Sequence, residues 1–120
     1  MKGVLIIAHG SRQKSTEQIL ENIVALAKEK LPDLPVETAY MEFGLPDIPD
    51  GLDRLAAAGV TEAAAVPYFL FDGIHIREDI PEALEKYRQD RPGMTITLGR
   101  PLGEDPRLAD VLADRIREWL

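Results

Sequence analysis

The sequence predicts an α/β fold: a four-stranded parallel sheet between two layers of helix, a three-layer α/β/α architecture. Three observations lead there. Strand-like apolar runs alternate with stretches of helical spacing, in the order β-α-β-α-β-α-β-α. The first run, Val4-Leu5-Ile6-Ile7, is continuously apolar, as a strand covered on both faces is. The connections between strands are long enough to be helical crossovers, and right-handed crossovers leave few topologies. At 120 residues the chain suits a single domain, residues 1–120.

Each element has a local reason. The first strand ends at Ala8-His9-Gly10. A helix follows, with Ile19, Ile23, Leu26 and Leu31 recurring and Leu20, Val24 and Ala27 widening the stripe. Ser11 or Ser15 is expected to cap it, and Pro32 to end it. Residues 36–41 form a second strand ending at Glu42. Pro46 and Pro49 mark a turn before a short helix with Leu52, Leu55 and Ala56, closed by Gly59. Residues 63–67 are the third strand, which Pro67 ends. Residues 68–79 read as an apolar loop around Gly73. Pro81 then suits the first turn of a helix carrying Leu84 and Tyr87. Pro92-Gly93 is a turn, and residues 94–98 alternate as a strand should. Asp105 caps a last helix, opened by Pro106, with Leu108, Val111, Leu112, Ile116 and Trp119 on one face.

Composition excludes several functions. The chain has no Cys, so disulfides, thiolate metal sites, iron–sulfur clusters and a cysteine nucleophile are out. With 21 acidic against 14 basic residues the net charge is -7, which argues against nucleic acid and against an anionic membrane surface. No apolar run is long enough for a secretory signal or a spanning helix, so a cytoplasmic protein is expected. The first βα loop has only Gly10 and forms neither a dinucleotide fingerprint nor a P-loop. Ser11 lacks the G-x-S-x-G elbow of a hydrolase.

In open α/β sheets, ligands bind beyond the carboxyl ends of the strands. Both histidines of the sequence, His9 and His75, fall on that edge, with Glu42 after the second strand. Neutral imidazoles suit divalent cobalt, nickel, iron or zinc, and two imidazoles plus a carboxylate leave coordination positions open. Tyr68, Phe69, Leu70 and Phe71 form an apolar stretch that suits core, a flat pocket or an interface. Arg12, Arg77 and Arg100 lie beside them and are candidate partners for ligand carboxylates.

Two elements together resemble the class II chelatases of the short CbiX type, the sirohydrochlorin metal chelatases. One is Ala8-His9-Gly10-Ser11-Arg12 after the first strand. The other is residues 67–81, with its Phe-Leu stretch, Gly73-Ile74-His75 and Asp79-Ile80-Pro81. The resemblance implies a chelatase-like, flavodoxin-like fold and an enzyme, a lyase of the sirohydrochlorin cobaltochelatase type. It would insert a divalent metal, cobalt first and iron or nickel as alternatives, into sirohydrochlorin for cobalamin or a related tetrapyrrole, releasing two pyrrole protons. His9 and His75 would bind the metal, and Glu42 would assist or accept a proton. Ser11, Arg12, Tyr68, Phe69, Leu70, Phe71, Gly73, Arg77 and Arg100 would contact the tetrapyrrole. No permanent cofactor is implied; the metal is a substrate. Long members hold two such halves, so one half implies a homodimer. A non-catalytic metal or tetrapyrrole carrier of the same fold is the alternative. A histidine phosphatase is disfavoured, because that family wants Arg where Ala8 stands.

Overall fold

The computed structural model describes the backbone of all 120 residues and every side chain except that of His75. The elements are β1 (Lys2–Ala8), α1 (Lys14–Glu29), β2 (Val36–Tyr40), α2 (Ile48–Ala57), β3 (Glu62–Pro67), α3 (Ile74–Asp90), β4 (Thr95–Leu98) and α4 (Pro106–Arg117). The strands form one parallel sheet in the order β2-β1-β3-β4. The central position of β1 explains its unbroken apolar run: it has a neighbour on each edge and side chains facing two layers.

Pairing in register aligns side chains in rows. Val36, Val4, Ala64 and Thr97 share one row and one face. On the opposite face Leu5, Ile7, Ala39, Ala63, Ala65 and Ile96 meet Leu52 and Leu55 of α2 and Ile80, Leu84 and Tyr87 of α3. This is the main core, and each fully buried Leu or Ile there contributes about 1.5–3 kcal/mol. Among the described residues no polar or charged side chain is buried. Arg88 of α3 donates to the carbonyl of Ile96, fastening α3 to β4.

The second face is covered in part. Leu20 and Val24 of α1 bury against Val36 and Tyr40, with Val4, Ile6 and Ala8 at the margin. Over β3 and β4 the face stays open, and a hollow of about 470 Å³ lined by Val4, Leu34, Ala64, Thr95 and Thr97 lies there. The last helix, α4, buries none of its residues. The molecule is accordingly long, 54 × 33 × 27 Å with a radius of gyration of 15.2 Å, against roughly 14 Å for a compact chain of this length.

Several sequence expectations need correction. Residues 74–79 are not loop: α3 begins at Ile74 with Gly73 as its N-cap residue, and Pro81 lies inside the helix instead of in its first turn. Pro81 has no N–H to offer the carbonyl one turn earlier, yet Ile76 and Ile80 before it pack on the same core as Leu84 and Tyr87 after it. Pro49 belongs to the first turn of α2, which starts earlier than expected because Asp47 caps it through Asp50 N–H at 2.9 Å. The α1 cap residue is Gln13, with no side-chain cap bond; Ser11 Oγ instead accepts from Gln13 N–H at 3.1 Å. The α1 residues Ile19, Ile23 and Leu26 are exposed, as are Val111, Leu112 and Ile116 of α4. Asp105 does cap α4, accepting from Arg107 N–H at 2.9 Å.

Candidate active site

The ladder between β1 and β2 continues past the strands. Met41 N–H donates to Ala8 O at 2.9 Å, and Glu42 N–H donates to His9 O at 3.0 Å. The two loops therefore run side by side at the carboxyl edge of the sheet. Gly10 permits this. Its φ of +98° is in the left-handed region, and a Cβ there would stand 1.7 Å from the carbonyl oxygen of Glu42.

This backbone register brings His9 and Glu42 together. His9 Nε2 lies 2.7 Å from Glu42 Oε1, and the side chains are 59% and 48% exposed, open to a ligand. His9 Nδ1 lies 3.2 Å from the carbonyl of Gly10. Both neighbours are acceptors, so a neutral ring satisfies only one of them. The shorter contact, to a carboxylate, is the stronger and places the proton on Nε2. The other neutral tautomer carries its proton on Nδ1, donated to the Gly10 carbonyl, and leaves the Nε2 lone pair free beside Glu42.

His9 stands between two clefts. One, of about 440 Å³, is lined by His9, Met41, Glu42, Ile48, Asp79 and Ala83. The other, of about 270 Å³, has largely apolar walls from Ile19, Leu20, Tyr40, Tyr68 and Phe69. The first therefore carries two carboxylates and the second is suited to a flat apolar face. Burial, and then Glu17 and Glu21, push the Tyr40 phenol up and keep it neutral. Among the described residues no group of three or more His, Asp or Glu is close enough to hold a metal.

The other predicted site residues are spread along the same edge. Arg12 places its guanidinium 4.7 Å from the ring centre of Phe43, a cation–π contact, and Phe43 itself has φ +61° and is exposed. Arg77 is held by Asp72 at 3.0 Å. Arg100 lies near Asp105, whose carboxyl is held well below the usual range mainly by hydrogen bonds from Arg107, with the Arg100 charge adding to the effect. Tyr68 N–H donates to Ile7 O at 2.7 Å, anchoring the apolar stretch at the end of β1. Leu70 and Phe71 are exposed. Gly73 stands at the N-cap of α3, and His75 follows in the first turn of that helix. The strand-end rule puts Phe43 on this edge beside Glu42, and Asp79 lies in the residues 67–81 element, but the sequence assigns neither a role in the site.

Comparison with known proteins decides the family. The CbiX family model matches residues 3–119. This chain belongs to the CbiX family. A sirohydrochlorin cobaltochelatase of Methanococcoides burtonii is 37% identical over 124 residues, covering 97% of this chain and 95% of its own. A sirohydrochlorin ferrochelatase of Priestia megaterium is 34% identical over 98% of this chain, but that is only 44% of the longer relative. The cobalt complex of the sirohydrochlorin chelatase SirB from Bacillus subtilis subspecies spizizenii superposes with a TM-score of 0.91 at 26% identity. The match covers 98% of this chain and 50% of SirB. This CbiX chain thus spans nearly all of some relatives and about half of others.

Proposed function

We propose that this protein inserts a divalent metal ion into sirohydrochlorin, releasing two pyrrole protons. Cobalt is the first candidate, with iron(II) or nickel as alternatives, in the synthesis of cobalamin or a related tetrapyrrole in the cytoplasm. The observation that carries this reading is the His9–Glu42 pair, 2.7 Å apart, on the ridge between an acidic and an apolar cleft. Metal insertion needs a ligand that presents the metal, a base that accepts ring protons and a surface that holds the ring.

The metal is a substrate and approaches through the acidic cleft, where Glu42 and Asp79 favour a cation. His9 and His75 present it, with two nitrogen ligands that hold it less firmly than thiolates would. Glu42 accepts one macrocycle proton and passes it to solvent before it accepts the second. Tyr68 and Phe69 receive the ring on the apolar side, with Leu70, Phe71 and Gly73 along its border and Ser11 shaping the first loop. Arg12, stacked on Phe43, pairs with a peripheral carboxylate; Arg77 and Arg100 reach others. The working unit is a homodimer, in which a second copy supplies what the second half supplies in the longer relatives.

An anaerobic absorbance assay with sirohydrochlorin and cobalt, nickel or iron(II) tests the reading. Insertion faster than the spontaneous rate is expected with at least one metal. Background rates with all three would overturn it in favour of a non-catalytic carrier.

A further inference from the structure

We propose that Phe43 is a positioning residue for substrate recognition: its ring holds the Arg12 guanidinium beside the His9–Glu42 pair, where the guanidinium meets a carboxylate on the rim of the macrocycle. This rests on the reading proposed above and adds to it the residue that sets Arg12 in place. Phe43 is unusual in two respects. Its φ of +61° lies in the left-handed region, which disfavours a bulky side chain and suits glycine. Its ring is 53% exposed, so burial in the core does not offset the strain. What the ring does meet is Arg12, whose Cζ lies 4.7 Å from the ring centre.

The backbone on both sides of Phe43 holds this arrangement. Before it, Glu42 N–H donates to His9 O at 3.0 Å, so Phe43 continues the side-by-side run of the two loops. After it, Gly44 is seated on Tyr40, and a Cβ on Gly44 would stand 3.0 Å from that ring. Strained conformations persist where the surroundings over-determine them, and they cluster at ligand-binding sites. Gly10 and Tyr40 line the apolar cleft beside His9, and Arg12 and Phe43 lie two and three residues further along the same loops. A free arginine side chain loses much rotamer freedom when a ligand fixes it. An aromatic face restrains it beforehand and uses none of its N–H donors. An ion pair such as that of Arg77 with Asp72 does use them. The other cleft beside His9 carries Glu42 and Asp79, which repel an anionic ligand. A restrained cation at this edge counters that repulsion and sets the ring's carboxylate in register with the pair.

Fluorescence titration of metal-free sirohydrochlorin reads the effect as a dissociation constant, separately from insertion. Phe43→Leu is expected to bind about fivefold more weakly than wild type. Phe43→Tyr keeps an aromatic face and is expected to bind as wild type does. Phe43→Gly adopts the left-handed conformation without strain, so it should be at least as stable in denaturant unfolding and still bind as weakly as Phe43→Leu. The effect runs through Arg12, so Phe43→Leu should cause little further loss in an Arg12→Ala background. Equal losses in the two backgrounds overturn the proposal. So does wild-type binding by Phe43→Leu and Phe43→Gly, or binding by Phe43→Tyr as weak as theirs. Wild-type chain that binds the ring without speeding insertion overturns the chelatase reading, and the same dissociation constants then decide the role of Phe43. Wild-type chain that does not bind the ring overturns both.

Discussion

Glu42 and His9 are joined twice: backbone to backbone at 3.0 Å and side chain to side chain at 2.7 Å. The first contact sets the second. The loop backbone fixes where the two side chains start, so the pair is assembled before any ligand arrives. Glu42→Gln keeps the shape but removes the charge. Insertion is expected to fall at least about tenfold, and cobalt affinity measured by calorimetry should fall with it. Unchanged turnover in the folded variant would remove Glu42 from the chemistry.

Gly10→Ala attacks the same relationship from the backbone. A Cβ 1.7 Å from the Glu42 carbonyl cannot be accommodated, so the two loops must part. The expected cost is about 1–3 kcal/mol in stability, together with loss of insertion. A variant as active as wild type would show that the loop contact does not position the pair.

Arg12 and Arg77 differ in what already holds them. Arg77 has Asp72 at 3.0 Å, whereas Arg12 is stacked on Phe43. Arg12→Ala should therefore raise KM for the tetrapyrrole more than Arg77→Ala, with kcat little changed in both. The reverse order would put the carboxylate contact at α3.

Tyr87 donates to Asp53 Oδ1 at 2.9 Å. Burial, followed by this hydrogen bond, pushes its phenol up to about 12, whereas an unfolded tyrosine ionises near 10. The folded state favours the protonated form, so this stabilisation is complete below about pH 10 and is lost as pH rises towards about 12. Titration of phenolate absorbance should show a late phase that Tyr87→Phe removes. If the phase persists in that variant, Tyr87 is not its source.

Leu84→Ala tests the main core. Leu84 is 1% exposed among Leu55, Ile80 and the sheet, and the cavity should cost about 2–5 kcal/mol. Denaturant unfolding measures it, and a loss below about 1 kcal/mol would mean that the site collapses to fill the gap.

Much of this was legible in the sequence. The unbroken run Val4-Leu5-Ile6-Ile7 marks a strand buried on both faces, and a strand-end rule suffices to put His9 and Glu42 on one edge. Asp105-Pro106 announced α4 because cap chemistry is local. What failed depended on distant context. The start of α3 was missed because Gly73 and the apolar residues before it look like loop, and Pro81 looks like a first-turn residue although it lies inside the helix. Ile19, Ile23 and Leu26 mark an apolar stripe that Leu20 and Val24 widen, and of these Leu20 and Val24 are the ones that bury. Periodicity reports an apolar face but not what lies against it.

The position of β1 also sets the order in which the molecule opens. Its amides are bonded in the middle of the sheet, between β2 and β3, while α4 in a single copy has no buried residue to retain it. Amide exchange should therefore be fastest in α4 and slowest in β1, spanning the range from local fraying to global unfolding. His9 directly follows the slowest segment. Thermal fluctuations that release the end of the chain leave the histidine's backbone anchor in place, so the His9–Glu42 edge shares the lifetime of the whole fold and not that of its periphery.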